Sequence, residues 1–332
     1  MNPTDLLALL GRPVTDPLVE AALRYHAVRN RPEVEIDDEI ADGPVVETQS
    51  WVKNSRGGIE FGFEDEASWI GLDETEFGKR PMLLTQIYLY GQHPNVRPYP
   101  YLLPFGLKLS DDRATVRRKM DAIGSNRHSY VRDTWDMQGN LVVVSYAAGD
   151  SCIDCVLCEL MEPPLPPLGY TLAAPPSIES LVALLGMALS DPAVGQTLNP
   201  LGLQDHLEQI RETNTCDLCD PHGLMVEFTA ARPARGGKAQ EALLMGMTFC
   251  RERELEARAW RGGLPFELSF EDSPETAERK LGRPPDERMD DDYSGIALWH
   301  EPDFSLRVFY STVENRLARV SLIAPGVWKR VE

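Results

Sequence analysis

One phrase is written twice in this chain, and the repetition limits its folds more than any other feature. LPFGLKLSDDRATVRRKM at 103–120 returns as LPFELSFEDSPETAERKL at 264–281. Leu103, Pro104, Phe105 and Leu107 match Leu264, Pro265, Phe266 and Leu268 without a gap. Asp111, Thr115, Arg118 and Lys119 match Asp272, Thr276, Arg279 and Lys280. A mixed apolar and charged pattern does not recur in this way by chance, so both copies are expected to fold alike. The correspondence extends in both directions. LLALLGRPVTDPLV at 6–19 pairs with LVALLGMALSDPAV at 181–194, and GGIEFGF at 57–63 with HGLMVEF at 222–228. LLTQIYLY at 83–90 pairs with LLMGMTFC at 243–250; further on, Trp135, Tyr146 and Val156 meet Trp299, Tyr310 and Val320. Two copies make a duplication, not a solenoid.

Each copy reads as the same succession of elements. A short amphipathic helix, in the first copy after an N-cap at Thr4, stops at Gly11 or Gly186 and is followed by a turn ending in Asp-Pro. Alternating strands then leave a glycine turn, and a largely apolar strand follows. The LPF phrase is expected to give a brief strand and then a helix, capped by Asp111 or by Asp272/Ser273, with Pro274 in its first turn. Two strands joined by a polar turn close the unit. Helices and strands do not alternate as βαβ units would, so the fold class is α+β: two tandem homologous domains, each an antiparallel sheet with packed helices. The domains are placed at 1–160 and 178–332. Between them MEPPLPPLGYTLAAPPS, residues 161–177, forms an extended proline-rich linker.

Charge narrows the partners. Lys and Arg total 33 against 52 Asp and Glu, a formal net charge of −19. Such a field repels phosphate backbones and speeds association with a basic protein, so no nucleic-acid partner is expected. No apolar run approaches the roughly 20 residues of a membrane span. The opening MNPTDLLALLGRP lacks a basic n-region and a cleavage site, so a cytoplasmic location with reduced thiols is expected. No nucleophile elbow, P-loop, HExxH or post-strand GxGxxG occurs, and the six histidines are scattered. The expectation is a non-enzymatic protein with no cofactor.

Six cysteines raise a metal alternative, in which Cys155, Cys158, Cys216 and Cys219 would hold structural zinc between the domains. Strand alternation opposes it, since it sends Cys155 to one face and Cys152 and Cys158 to the other. Three acidic stretches remain as candidate surface: EVEIDDEIAD at 33–42, EDEASWIGLDETEF at 64–77 and DERMDDDY at 286–293. Acidic residues around aromatic anchors suit a tight binder of a basic target. The candidate contact residues are Asp37, Asp38, Glu39, Glu64, Asp65, Glu66, Trp69, Asp290, Asp291 and Asp292. The opposing reading folds Trp69 and Phe77 back onto the core.

The run LPFELSFEDSPETAERKLGRP at 264–284 resembles a motif of bacterial immunity proteins, the small cytoplasmic proteins that neutralise a cognate toxin made by the same cell. Leu281, Gly282, Arg283 and Pro284 match its Leu-Gly-x-Pro close, and Trp299 follows on a later strand. In the first copy Met120-Asp121-Ala122-Ile123-Gly124 stands in that place. The helix and its close are also similar to a domain of outer-membrane assembly lipoproteins, but the chain has no lipobox. The first resemblance implies an inhibitor that covers a toxin's active or substrate-binding surface. A two-domain interaction scaffold is the further alternative.

Overall fold

The duplication is reproduced strand for strand. The computed structural model describes residues 6–37, 45–129, 131–137, 139–230 and 241–326. The chain divides into two units, Met1–Pro166 and Pro167–Glu332, and the division falls inside the proline-rich stretch.

After a helical turn at residues 6–7, the first unit carries helix α1 (Pro17–Tyr25) and a small pair of strands, β1 (Glu35–Asp37) and β2 (Val45–Glu47). Then come β3 (Gln49–Asn54), β4 (Ile59–Asp65), the single turn α2 (Glu66–Trp69), β5 (Met82–Tyr90), α3 (Arg113–Met120), β6 (Ser125–His128), β7 (Arg132–Met137), β8 (Asn140–Tyr146) and β9 (Ile153–Leu160). The second unit carries α4 (Ile178–Val182), α5 (Pro192–Leu198), α6 (Leu207–Thr213), β10 (Thr215–Leu218), α7 (Cys219–His222), β11 (Leu224–Phe228) and β12 (Leu244–Cys250). It ends with α8 (Pro274–Leu281), β13 (Glu287–Asp290), β14 (Ser294–His300), β15 (Ser305–Ser311) and β16 (Arg316–Ile323).

Each unit builds one 7-stranded sheet, ordered β3-β4-β5-β9-β8-β7-β6 in the first and β10-β11-β12-β16-β15-β14-β13 in the second. Every pairing is antiparallel. A three-strand meander and a four-strand meander are thus joined through their last strands. Even the irregularities recur: bulges at Gly62/Phe63 and Ser145/Tyr146 are matched at Glu227/Phe228 and Phe309/Tyr310.

Strand periodicity selects each core. In the first unit Phe61, Phe63, Ile87, Leu89, Val142, Val144, Val156 and Trp135 are buried together with Val116 and Met120 of α3. The second core collects Val226, Met247, Phe249, Trp299, Val308, Tyr310, Val320 and Leu322 against Ala277 of α8. Each such large side chain contributes about 1.5–3 kcal/mol of burial.

Two expectations about helix starts are corrected. Asp-Pro opens a helix instead of merely ending a turn: Asp16 accepts from the amide of Leu18 at 2.7 Å and Asp191 from that of Ala193 at 2.8 Å. Proline takes the first helical position in both, where its missing N–H costs nothing. The LPF phrase forms no strand, and Asp111 is not the cap of α3. That cap is Asp112, which accepts from Thr115 N at 2.8 Å; Ser273 does the same for Thr276 N in the second copy.

The matched residues of the LPF phrase instead build a clamp. Pro104–Gly106 and Pro265–Glu267 each make one 3-10 turn, with Phe105 and Phe266 in the left-handed region at φ 58° and 57°. Asp111 accepts from Lys108 N at 2.8 Å and from Lys119 Nζ at 2.6 Å, while Lys119 also donates to the Gly106 carbonyl at 3.0 Å. Asp272 accepts from Ser269 N at 2.8 Å and from Lys280 Nζ at 2.7 Å, and Lys280 donates to the Glu267 carbonyl at 2.7 Å. A phenylalanine with positive φ costs on the order of 1–3 kcal/mol. The lysine, anchored on the following helix, holds the carbonyl that this backbone exposes.

A second shared device is the glycine turn before β4 and β11. A Cβ on Gly58 would lie 2.4 Å from the Arg97 carbonyl oxygen, and one on Gly223 would lie 2.3 Å from that of Arg258. Only glycine permits this approach of two backbones.

The units differ in their buried polar groups. Asp133, fully buried on β7, accepts from Arg113 Nε at 3.0 Å, from Arg117 Nε at 2.9 Å and from Tyr146 Oη at 2.9 Å. Burial opposes its ionisation, but the hydrogen bonds of Arg117 and Arg113 outweigh that and hold its carboxyl below the usual range. The second unit has Ala297 at the matching position, and its Tyr310 bonds to Asp290 instead. His26 is buried among Tyr25, Phe61, Tyr99 and Tyr101, with its Nε2 atom lacking a hydrogen-bond partner. Burial pulls its pKa down to about 4.

These contacts carry two expectations for stability. Asp111→Ala and Asp272→Ala each remove a carboxylate that accepts from an amide and a lysine. Each should cost its own unit about 1.5–3 kcal/mol, read by hydrogen-exchange mass spectrometry on peptides of that unit. His26 binds its proton more weakly folded than unfolded, so stability falls as pH drops from about 6.5 toward 4, by up to about 1.4 kcal/mol per pH unit. His26→Phe should reduce that slope in urea midpoints measured across the same interval, leaving the part due to His222, whose pKa burial also lowers.

Candidate binding surface

The three acidic stretches meet different fates. In the first, Asp37 ends β1 and pairs with Val45 through the backbone. Its side chain, with Asp38 and Glu39, lies outside the described residues.

The start of the second stretch is turned inward, which corrects the expectation that Glu64, Asp65 and Trp69 form an exposed rim around an anchor. β4 ends at Asp65, and the chain must start α2 at once, leaving amides that need acceptors. Asp65, fully buried, supplies them: its Oδ1 accepts from Ala67 N at 2.9 Å and Ser68 N at 3.3 Å, and its Oδ2 from Gly78 N at 3.2 Å. Glu64 is 8 % exposed and accepts from Ser68 Oγ at 3.0 Å and Gln49 Nε2 at 3.4 Å. Trp69 is 6 % exposed. Buried carboxylates with these bonds and a buried indole cannot reach a partner. Of the four candidate contact residues here, Glu66 keeps some exposure, with its carboxylate 3.8 Å from Arg80; further along the stretch Asp73 and Glu74 are exposed.

The third stretch faces solvent. β13 is an edge strand of the second sheet, and a tight turn joins it to β14. Asp290 is half-buried, bonded to Tyr310 Oη and, at 2.8 Å, to Arg288 Nε. Asp291 builds the turn: Oδ1 accepts from Tyr293 N at 2.8 Å and Ser294 N at 2.6 Å, and Oδ2 accepts from Ser294 Oγ at 3.0 Å. Those bonds, the Tyr293 amide first, hold its carboxyl below the usual range, so it is charged at neutral pH. Asp292 is exposed and makes no hydrogen bond among the described residues. On either side stand Met289, 69 % exposed, and Tyr293, 76 % exposed. An edge strand, a free carboxylate and two large apolar side chains thus share one hairpin tip. At the corresponding β6–β7 turn of the first unit, Ser129 accepts from the Val131 and Arg132 amides.

Sequence reasoning missed an aromatic patch on the first unit. Tyr25 and Tyr101 are about half exposed with ring centroids 5.5 Å apart, and Leu102 beside them is 77 % exposed. The signal is Tyr99-Pro-Tyr101 together with Tyr25-His26, residues far apart in sequence that α1 and the segment after β5 bring together.

The cysteines of the four-thiolate alternative are packed within their own units. Cys158 belongs to the first core and Cys216 to the second, so each is committed to its own unit. No group of three or more His, Cys, Asp or Glu residues suited to a metal ion occurs among the described residues. Among them, too, no helix is long and apolar enough to cross a membrane.

Asp291→Ala should expose the Tyr293 and Ser294 amides to faster hydrogen exchange and cost about 1–2 kcal/mol locally, because two amides lose their acceptor. Asp292→Ala should leave stability within about 0.5 kcal/mol, as an exposed side chain without partners. No family model, curated protein or solved structure matches the chain, so a functional reading has to rest on this surface and its chemistry.

Proposed function

We propose that the chain is a non-enzymatic, cytoplasmic binding protein that neutralises a basic protein toxin by covering its active or substrate-binding surface. The observation that carries this reading is the β13–β14 tip, where Met289 and Tyr293 stand exposed beside the free carboxylate of Asp292. Exposed tyrosine and methionine bury well against a partner, and aspartate beside them selects for basic residues. The net charge of −19 supplies long-range attraction toward the same class of partner and repulsion from nucleic acid. The resemblance of the LPF–helix–Leu-Gly-x-Pro run to immunity proteins points the same way. It bears on the scaffold, because that run forms the clamp and the helix close, while partner choice belongs to the surface.

The two equal sheets also favour a scaffold that presents two like platforms. Partner stoichiometry separates the readings, since a scaffold takes two equivalent copies and an occluding inhibitor takes one.

The test compares wild type with the double variant Asp292→Lys/Tyr293→Ala in capture from the source cell's lysate at low salt, followed by titration of the captured protein. A single basic protein with toxic activity, bound tenfold or more weakly by the variant and no longer blocked by it in a growth assay, supports the proposal. Equal binding by variant and wild type would remove the hairpin from the interface.

A further inference from the structure

The binding proposal makes no use of the Cys219 and Cys250 side chains, which touch each other. Cys219 opens α7 directly after β10, and Cys250 ends β12. The turn at Gly223, with φ +67°, brings them together: Gly223 N donates to the Cys219 carbonyl at 2.8 Å, and Cys250 N donates to the Gly223 carbonyl at 2.8 Å. With Ala257 the two cysteines form a small buried cluster separate from the main core. Cys219 is 3 % exposed and Cys250 is inaccessible.

The surroundings make the two sulfurs unequal. The Cys219 thiol donates to the Cys250 sulfur, and that bond, helped by the nearby Arg319 guanidinium, draws the Cys250 thiol below its usual range. Cys219 is pushed up, first by the same bond and then by burial and the carboxylate of Asp217. Asp217 also accepts from the Cys219 amide at 2.9 Å, fixing that residue's position. One sulfur is therefore the readier nucleophile, and its neighbour holds a proton against it. The remaining buried thiols lack such a partner; burial alone pushes Cys158 up to about 12.

The cover over the pair is strained. Arg253, Leu255 and Glu256 all adopt positive φ, at 68°, 55° and 59°. The segment is tied down by Arg253 N to the Ala257 carbonyl at 2.7 Å and by the Glu254–Arg319 ion pair at 3.0 Å. Strain in a cover lowers the cost of opening it, and a small oxidant needs only a brief opening. The first unit keeps the backbone arrangement without the chemistry. Arg97 N donates to the Ser55 carbonyl as Arg258 N donates to that of Cys219, and Tyr90 takes the place of Cys250.

We propose that Cys219 and Cys250 form an oxidation site at which hydrogen peroxide converts the dithiol into a disulfide linking the α7 turn to the end of β12. The Cys250 sulfur attacks one peroxide oxygen, the O–O bond breaks and water leaves, giving a sulfenic acid. The Cys219 sulfur then attacks the oxidised sulfur, the S–O bond breaks and a second water leaves. Both thiol protons end in the two waters, the peroxide is reduced, and two electrons leave the sulfur pair.

The experiment treats the folded full chain with a few equivalents of hydrogen peroxide, alkylates remaining thiols, and maps disulfides by mass spectrometry after non-reducing digestion. A Cys219–Cys250 cross-linked peptide that forms without denaturant and disappears with dithiothreitol is expected, with Cys158 and Cys216 still alkylated after unfolding. In Cys219→Ser, dimedone should trap a sulfenic acid on Cys250. Two free thiols in the treated wild type, or cross-linking only after urea unfolding, would overturn the proposal.

Discussion

Each sheet depends on one crossing. The chain finishes its first meander in the middle of the sheet, at β5 or β12, and must reach the far edge before it can return strand by strand to pair with the strand it left. The segment making that journey contains the left-handed phenylalanine, the aspartate and the lysine. If the helix after the LPF turn were set at another angle, β6 or β13 would start in the wrong place, and the four-strand meander could not close on the central strand. A lysine bonded at once to a carbonyl and a carboxylate fixes the angle between turn and helix. This explains why the most similar stretch of the two copies is neither the most buried nor the most apolar part of either.

Much of this is legible in the sequence, for physical reasons. Strands β4, β5, β8 and β9 and their counterparts alternate or run apolar, and a period of two leaves few other solutions. The antiparallel plan comes from the order of elements. Capping chemistry is less legible. Asp111 and Asp112 are adjacent, either could cap a helix, and only the lysine one turn after Thr115 distinguishes the residue that clamps from the residue that caps. Asp-Pro reads as the end of a turn, although the same dipeptide is an N-cap with a preferred first helical residue behind it.

The acidic stretches show why charge alone does not reveal a surface. Glu64 and Asp65 have the same residue types as the hairpin tip, yet a helix starting directly after a buried strand needs acceptors and draws them in. Asp291 satisfies similar amides at a turn that projects from an edge strand, so its neighbours Asp292 and Tyr293 stay in solvent. The difference lies in the backbone that each carboxylate serves: a buried turn in one case, an edge hairpin in the other.

The join between the two meanders has a consequence for how such a chain reaches its fold. In each unit the central pairing connects strands far apart in sequence, Leu89 with Val156 and Phe249 with Val320, so it closes late and exposes two half-sheets meanwhile. A tandem chain then holds two sets of halves with the same strand order, and a half from one copy could zip onto a half from the other. The copies have drifted in the residues that meet there. Exchange would set Phe249 where Leu89 belongs against Val156, and put Met247 in place of Ile87 against Cys158. The two copies thus share an architecture while differing in side-chain shape at the seam, so an exchanged half would meet a neighbour of different size.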